Sequence, residues 1–329
     1  MARQDHINEF FNGRTFMVLC AVALVVTTAV ALSLGVRPST TSENGVFFTL
    51  WEPLIADATL SATVNVLCLL ITGGILLAIN KVFTFVRSVT HLFVSVFFLL
   101  QLAHPAGFVS FNAGTLLCLV TAVAILPLFA SYQDRHSQRS IFLIFALVAA
   151  GSMFHYGFLA LIPAFVLGFF NMGVLNLKGV LAMLFGLITP FWIVLGMGIA
   201  SPADFTMPQI DGIWHVVAQP RAELELVLAG ILAVAGIVLA VMNLLIIMNY
   251  RMQTRVYNAF MVFTLVMVII AICIDYGDMV VYLPLLGLMV AVQVAHAHTL
   301  RTTMHHRYLF ILLLIAGCIG LCAANLLTR

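Results

Sequence analysis

The placement of charge constrains this chain more than any other feature of its sequence. Only 8% of its residues are Asp, Glu, Lys or Arg. Nearly all of them fall in short gaps between long apolar runs. Assigning the gaps alternately to two sides separates the signs. Arg3, Arg14, Lys81, Arg87, Arg135, Arg139, Lys178, Arg251, Arg255, Arg301 and Arg307 share one side, and of the 14 basic residues only Arg37, Arg221 and Arg329 lie opposite. The acids show the reverse bias: Glu43, Glu52, Asp57, Asp204, Asp211, Glu223, Glu225, Asp275 and Asp278 stand opposite the basic side, leaving three of the 12 on it. Retention of Lys and Arg on the cytoplasmic side produces this asymmetry in polytopic membrane proteins. Composition agrees: at 63% hydrophobic residues and a mean hydropathy of +1.16, a water-soluble domain has no means of hiding its apolar surface.

A spanning helix needs roughly 20 apolar residues. The sequence predicts an all-α polytopic membrane protein, a single transmembrane domain over residues 1–329. About eleven helices are expected, near 15–36, 59–80, 86–103, 111–131, 140–155, 156–173, 179–200, 225–248, 256–274, 279–297 and 308–326. The stretch 140–173 reads either as one tilted span or as a pair. Turn signals at Gly151-Ser152 and His155-Tyr156-Gly157 favour a pair, spanning or re-entrant, and only an extra reversal there keeps the basic residues together. The N-terminus is then cytoplasmic and the C-terminus periplasmic. The first apolar run, behind Arg3 and Arg14, resembles a secretory signal but is too long for one and reads as a retained span. Longer outer loops are expected at about 37–58 and 201–224. All six cysteines lie inside apolar runs, as small hydrophobes rather than a disulfide framework.

Chemistry is harder to find. No Asp, Glu, Lys or Arg lies at the centre of a predicted span, which argues against ion-coupled transport. Asn65, Gln101, Asn243 and Gln293 are expected to join helices by hydrogen bonds. The outer acids are the weak candidates for catalysis: Glu52, Asp57, Asp211 and Asp275. Two carboxylates meeting at a membrane surface can act as acid and base on a lipid-linked substrate, as in multi-pass glycosyltransferases. The competing explanation is that outer loops are acidic because basic residues stay inside. His91 stands out as a titratable residue within a predicted span, and His296 is a second histidine at comparable depth. Helix packing accounts for both better than haem ligation does. His305, His306 and Arg307, with Arg301, form a basic rim suited to anionic lipid headgroups. No nucleotide-binding loop, zinc-protease helix or nucleophile elbow is present, and no basic patch suits nucleic acid. No cofactor and no metal site are expected. The expected partners are membrane lipids and envelope proteins.

Several pieces together carry a resemblance: Asn8 and Phe10-Phe11-Asn12-Gly13 before the first span, Phe111-Asn112-Ala113-Gly114, Gly151-Ser152, Leu161-Ile162-Pro163, and Gly186-Leu187-Ile188-Thr189-Pro190-Phe191-Trp192 after Lys178. Over about the first two-thirds of its length the chain resembles an uncharacterised family of multi-pass inner-membrane proteins from Bacteroidota. The resemblance implies a bacterial inner membrane and supplies no catalytic residue. Three functional classes stand open: a membrane subunit or scaffold in cell-envelope assembly, a periplasm-facing enzyme acting on a lipid-linked glycan or lipid, and an uncoupled transporter or flippase.

Overall fold

A computed structural model describes residues 6, 9–36, 38, 45–47, 57–86, 90–134, 136–205, 210, 212, 222–300 and 307–327. Among these residues there is no strand. Eleven α-helices of 11 residues or more follow one another: α1 (Arg14–Ser33), α2 (Ala58–Phe83), α3 (Leu92–Leu102), α4 (Ala113–Ala130), α5 (Gln138–Ser152), α6 (Leu161–Asn171), α7 (Leu177–Gly196), α8 (Ala222–Ile247), α9 (Met252–Ile274), α10 (Met279–Leu300) and α11 (Arg307–Leu327). Eight of them, all but α3, α5 and α6, are long and apolar enough to cross a membrane.

The three shorter helices differ from the sequence reading in an instructive way. At about 1.5 Å per residue, the 11 residues of α3 reach about 16 Å, half of a hydrocarbon core of about 30 Å. Yet every residue of α3 is buried. Its apolar run looks like a span because a helix enclosed by protein needs the same composition as one enclosed by lipid. With α10, whose spanning window is 100% buried, it forms the centre of the bundle. Both pack on each other; α1, α2 and α11 also contact α3, and α4, α8 and α9 also contact α10.

The stretch 138–171 reverses direction. The amide of Gln133, ahead of α5, donates to the carbonyl of Met172, behind α6, at 3.1 Å, so the hairpin's two ends lie at one level. Its tip contains Met153, which packs with Val194 and Ala200 near the end of α7. α7 runs beside α5 in the same direction: Gly179 faces Ile141, and Gly186 lies against the Phe142 carbonyl and Phe145. The turn from α6 into α7 passes through Gly173 at φ +72, which a side chain would strain.

Backbone breaks inside an apolar bundle need partners for every freed N–H and C=O. Side chains supply them around the break after α3. Asn325 Nδ2 donates to the Ala103 carbonyl at 3.1 Å, Asn65 Nδ2 to the Phe108 carbonyl at 2.9 Å, and Asn112 Nδ2 to the Gly107 carbonyl at 2.6 Å. Ser61 Oγ accepts the Phe111 amide at 2.8 Å. At the other end of α2, Asn80 Oδ1 accepts the Val86 amide at 3.2 Å.

Candidate functional site

Two chain breaks and two helix starts meet near the turn between α9 and α10. The break after α3 carries His104. The break after α5 carries His155. Glu225 lies in the first turn of α8, and Asp278 immediately precedes α10. His104 Nε2 stands 2.9 Å from Glu225 Oε1, with side chains 8% and 12% exposed. His155 Nε2 stands 3.2 Å from Asp278 Oδ2, both side chains at 2%. Each contact ties segments more than a hundred residues apart in sequence. Each carboxylate also sits where a helix N-terminus favours negative charge.

The tautomer of His155 follows from its other nitrogen. Nδ1 accepts the Gly157 amide at 3.0 Å, so it carries no proton, and the ring proton lies on Nε2, toward Asp278. That approach is oblique, so the contact is electrostatic more than a directed hydrogen bond. Tyr282 completes the group from α10. Its hydroxyl donates to Asp275 Oδ2 at 3.1 Å and lies beside His155 and Gly157. Tyr276, in the turn itself, is buried; that burial, and then the charge of Glu225, push its phenol up. Among the described residues no three His, Cys, Asp or Glu converge to hold a metal.

The acids singled out from sequence have separate fates. Asp57 is fully exposed and caps α2. Its Oδ1 accepts the Thr59 hydroxyl at 2.6 Å and the Thr59 and Leu60 amides at 3.0 and 3.3 Å. The Thr59 hydroxyl first, then those amides, hold its carboxyl below the usual carboxylate range. Asp275 belongs to the buried layer through Tyr282. Glu52 and Asp211 lie outside the described residues. His91 is the residue preceding α3, its Nδ1 3.4 Å from the Asn12 carbonyl, rather than a residue within a span. The sequence does not single out His104 and His155 for chemistry; both are buried, as are His296 and His298 in α10, and the first two are the ones that meet carboxylates. The sequence signal is faint: a histidine beside Pro105 and one two residues before Gly157, both break-prone positions.

A second polar knot lies toward the opposite end of α8, α9 and α10. Asn243 Nδ2 donates to the Gln293 carbonyl at 2.8 Å and to Gln293 Oε1 at 3.0 Å. Gln293 Nε2 donates to Asn258 Oδ1 at 3.3 Å. The main-chain acceptor fixes the orientation of all three amides. Asn243 Oδ1 and Asn258 Nδ2 are left without partners among the described residues, a complementary acceptor and donor. Gln101 instead meets the Pro284 carbonyl at 3.3 Å, beside a void of about 20 Å³ that it shares with His104 and Gly107, about enough for one water. A wider groove of about 440 Å³ between α1, α2 and α3 is lined by Val22, Val25, Gly73, Gly74 and Phe98, wholly apolar and open at the surface.

No family model, no curated protein and no solved structure matches this chain.

Proposed function

We propose that the chain is a membrane subunit or scaffold of a cell-envelope assembly in a bacterial inner membrane. The observation that supports this reading most is the closely packed interior. α10 is enclosed along its spanning window, and the polar residues expected to join helices bond to one another or to main chain. An uncoupled transporter would instead be expected to carry a polar path at Gln101, Asn243 or Gln293. The topology proposed with this reading has about eleven membrane helices, α3 reaching only part of the way and α5 and α6 counted as a pair, with a cytoplasmic N-terminus and a periplasmic C-terminus. The sidedness of Lys and Arg supports it, and a family of Bacteroidota inner-membrane proteins is the proposed kinship. Envelope proteins and lipids are the proposed partners; nucleic acid is not among them.

One observation favours a second reading, a periplasm-facing enzyme acting on a lipid-linked glycan or lipid. Glu225, Asp275 and Asp278 gather with two histidines at the end of the bundle that the charge pattern assigns to the outside. In that reading Asp275 belongs to the cluster, Asp57 is engaged in capping α2, and Glu52 and Asp211, outside the described residues, stay candidates.

The deciding experiment is purification of the full chain in mild detergent followed by native mass spectrometry. The expected result is a protein partner at fixed stoichiometry. A chain free of protein partners that retains a polyprenyl lipid would overturn the subunit reading in favour of the enzyme.

A further inference from the structure

We propose that the apolar groove between α1, α2 and α3 binds one anionic phospholipid, an acyl chain lying in the groove and the phosphate held between Arg14 and Lys81. The proposal rests on the membrane placement of the bundle and not on the subunit reading, and its test needs no protein partner.

Two adjacent glycines build the groove, with opposite tasks. Gly73 admits α3. A Cβ there would lie 2.6 Å from Phe98 Cζ and 3.0 Å from Val94 Cγ1, so bare backbone lets these side chains settle onto α2. They form the floor. Gly74 leaves the space beside them open, since a Cβ there would meet nothing within 4 Å. The result is a groove of about 440 Å³ with α1 and α2 as its walls. Its lining offers water no partner, so in a bilayer something apolar fills it. A chain enclosed on three sides makes many more dispersion contacts than one lying on a flat helix face.

Length and charge choose the occupant. On α1 the lining runs from Met17 to Val26. At about 1.5 Å per residue that is about 14 Å, close to one leaflet of a hydrocarbon core of about 30 Å. A partner's spanning helix would need a trough through both leaflets, whereas an acyl chain needs one. The groove lies toward the end where α1 starts and α2 finishes. Arg14 is one turn before Met17 and Val18 on the same face of α1, and Lys81 is one turn beyond Leu77 on the same face of α2. Both are exposed, and among the described residues neither forms a salt bridge with a carboxylate. Glu9, the nearest described acid to Arg14 in sequence, stands 3.7 Å from His6. α1 also has no acid in its first turn and no side chain capping its first amides, so that helix start favours an anion. A phosphate at this mouth sits between two cations with its chain directed inward. A zwitterionic headgroup brings a cation of its own and gains less. The charge pattern assigns this end to the cytoplasm, so the lipid comes from the inner leaflet.

The test is native mass spectrometry of the full chain released from nanodiscs of equal phosphatidylglycerol and phosphatidylcholine. Nanodiscs of defined composition separate the result from the subunit reading, which is tested on the chain purified with its native partners. The wild type is expected to retain one phosphatidylglycerol, favoured over phosphatidylcholine by about tenfold or more, since each basic side chain near a membrane surface is worth roughly a fivefold preference. Gly74→Phe fills the groove from an open position and is expected to cut retention by about tenfold or more. Gly230→Phe, the same enlargement at an open glycine of α8, is expected to leave it unchanged. Arg14→Gln combined with Lys81→Gln is expected to keep a lipid and lose the preference. A wild type that retains no phospholipid, or both equally, overturns the proposal, as does a Gly74→Phe chain that retains phosphatidylglycerol as the wild type does. A wild-type dimer that Gly74→Phe dissociates overturns it in favour of a helix from a second copy. Should Gly74→Phe fail to fold, the wild-type preference and its loss in the charge variant decide alone.

Discussion

Asp57 shows how little a conspicuous acid has to do with chemistry when its oxygens are already spent. Its carboxylate serves Thr59 and Leu60 at the opening of α2. Its proton affinity is lowered in the folded chain, so its contribution to stability is present above the ordinary carboxylate range. It is lost as pH falls through the lower folded value. Asp57→Ala is expected to lower the thermal midpoint in detergent at neutral pH but not at strongly acidic pH. Asp57→Asn should keep much of the cap while removing that pH dependence. The amide knot behaves differently because it is buried. Gln293→Leu strands Asn243 and Asn258 together, at an expected cost of about 1 to 3 kcal/mol in unfolding experiments. Simultaneous Asn243→Leu, Asn258→Leu and Gln293→Leu should recover part of that loss, since no amide is then left unpaired.

At the scale of elements, close approach depends on missing side chains. A Cβ on Gly114 would lie 2.6 Å from the Val281 carbonyl, which is backbone and cannot swing aside. Gly114→Ala is expected to push α4 off α10 at a cost of about 1 to 3 kcal/mol, read as a lower thermal midpoint and faster exchange at residues 275–282. The apolar runs themselves were legible. Each of the eleven read from the sequence overlaps one of the eleven helices, eight of which are long and apolar enough to cross a membrane, and turn signals together with charge indicate the reversal at 140–173 that the Gln133–Met172 hydrogen bond fixes. What stayed hidden was length within a run. Residues 86–103 yield only α3, because Asn80 accepts the Val86 amide where the chain turns and the chain breaks after Leu102, where Asn325 donates to the Ala103 carbonyl. Residues 156–173 begin as a 3₁₀ turn before α6. Neither end of α3 is coded locally; each meets a side-chain amide, in one case far along the chain. The same reason hid His104 and His155. Their meaning lies in Glu225 and Asp278, which only the assembled bundle brings near.

For the whole molecule, the topology makes a sharp prediction. Reporter fusions placed after Arg135, Gly173 and Arg251 should all report the cytoplasm, and one placed at Gly277 the periplasm. Cytoplasmic activity at Gly277 would refute the proposed orientation. The break after α3 carries one more implication, about timing. Asn325 stands 222 residues downstream of the carbonyl to which it donates. A ribosome adding about 5 to 20 residues per second leaves that carbonyl waiting on the order of ten seconds or more. Until α11 arrives, α3 is a short apolar helix whose end lacks that donor, a natural client for an insertase or a neighbouring chain. Biogenesis, more than the finished fold, is where this design is most exposed to failure, and pulse-chase proteolysis of Asn325→Ala should reveal a prolonged cleavable stage around residues 103–112.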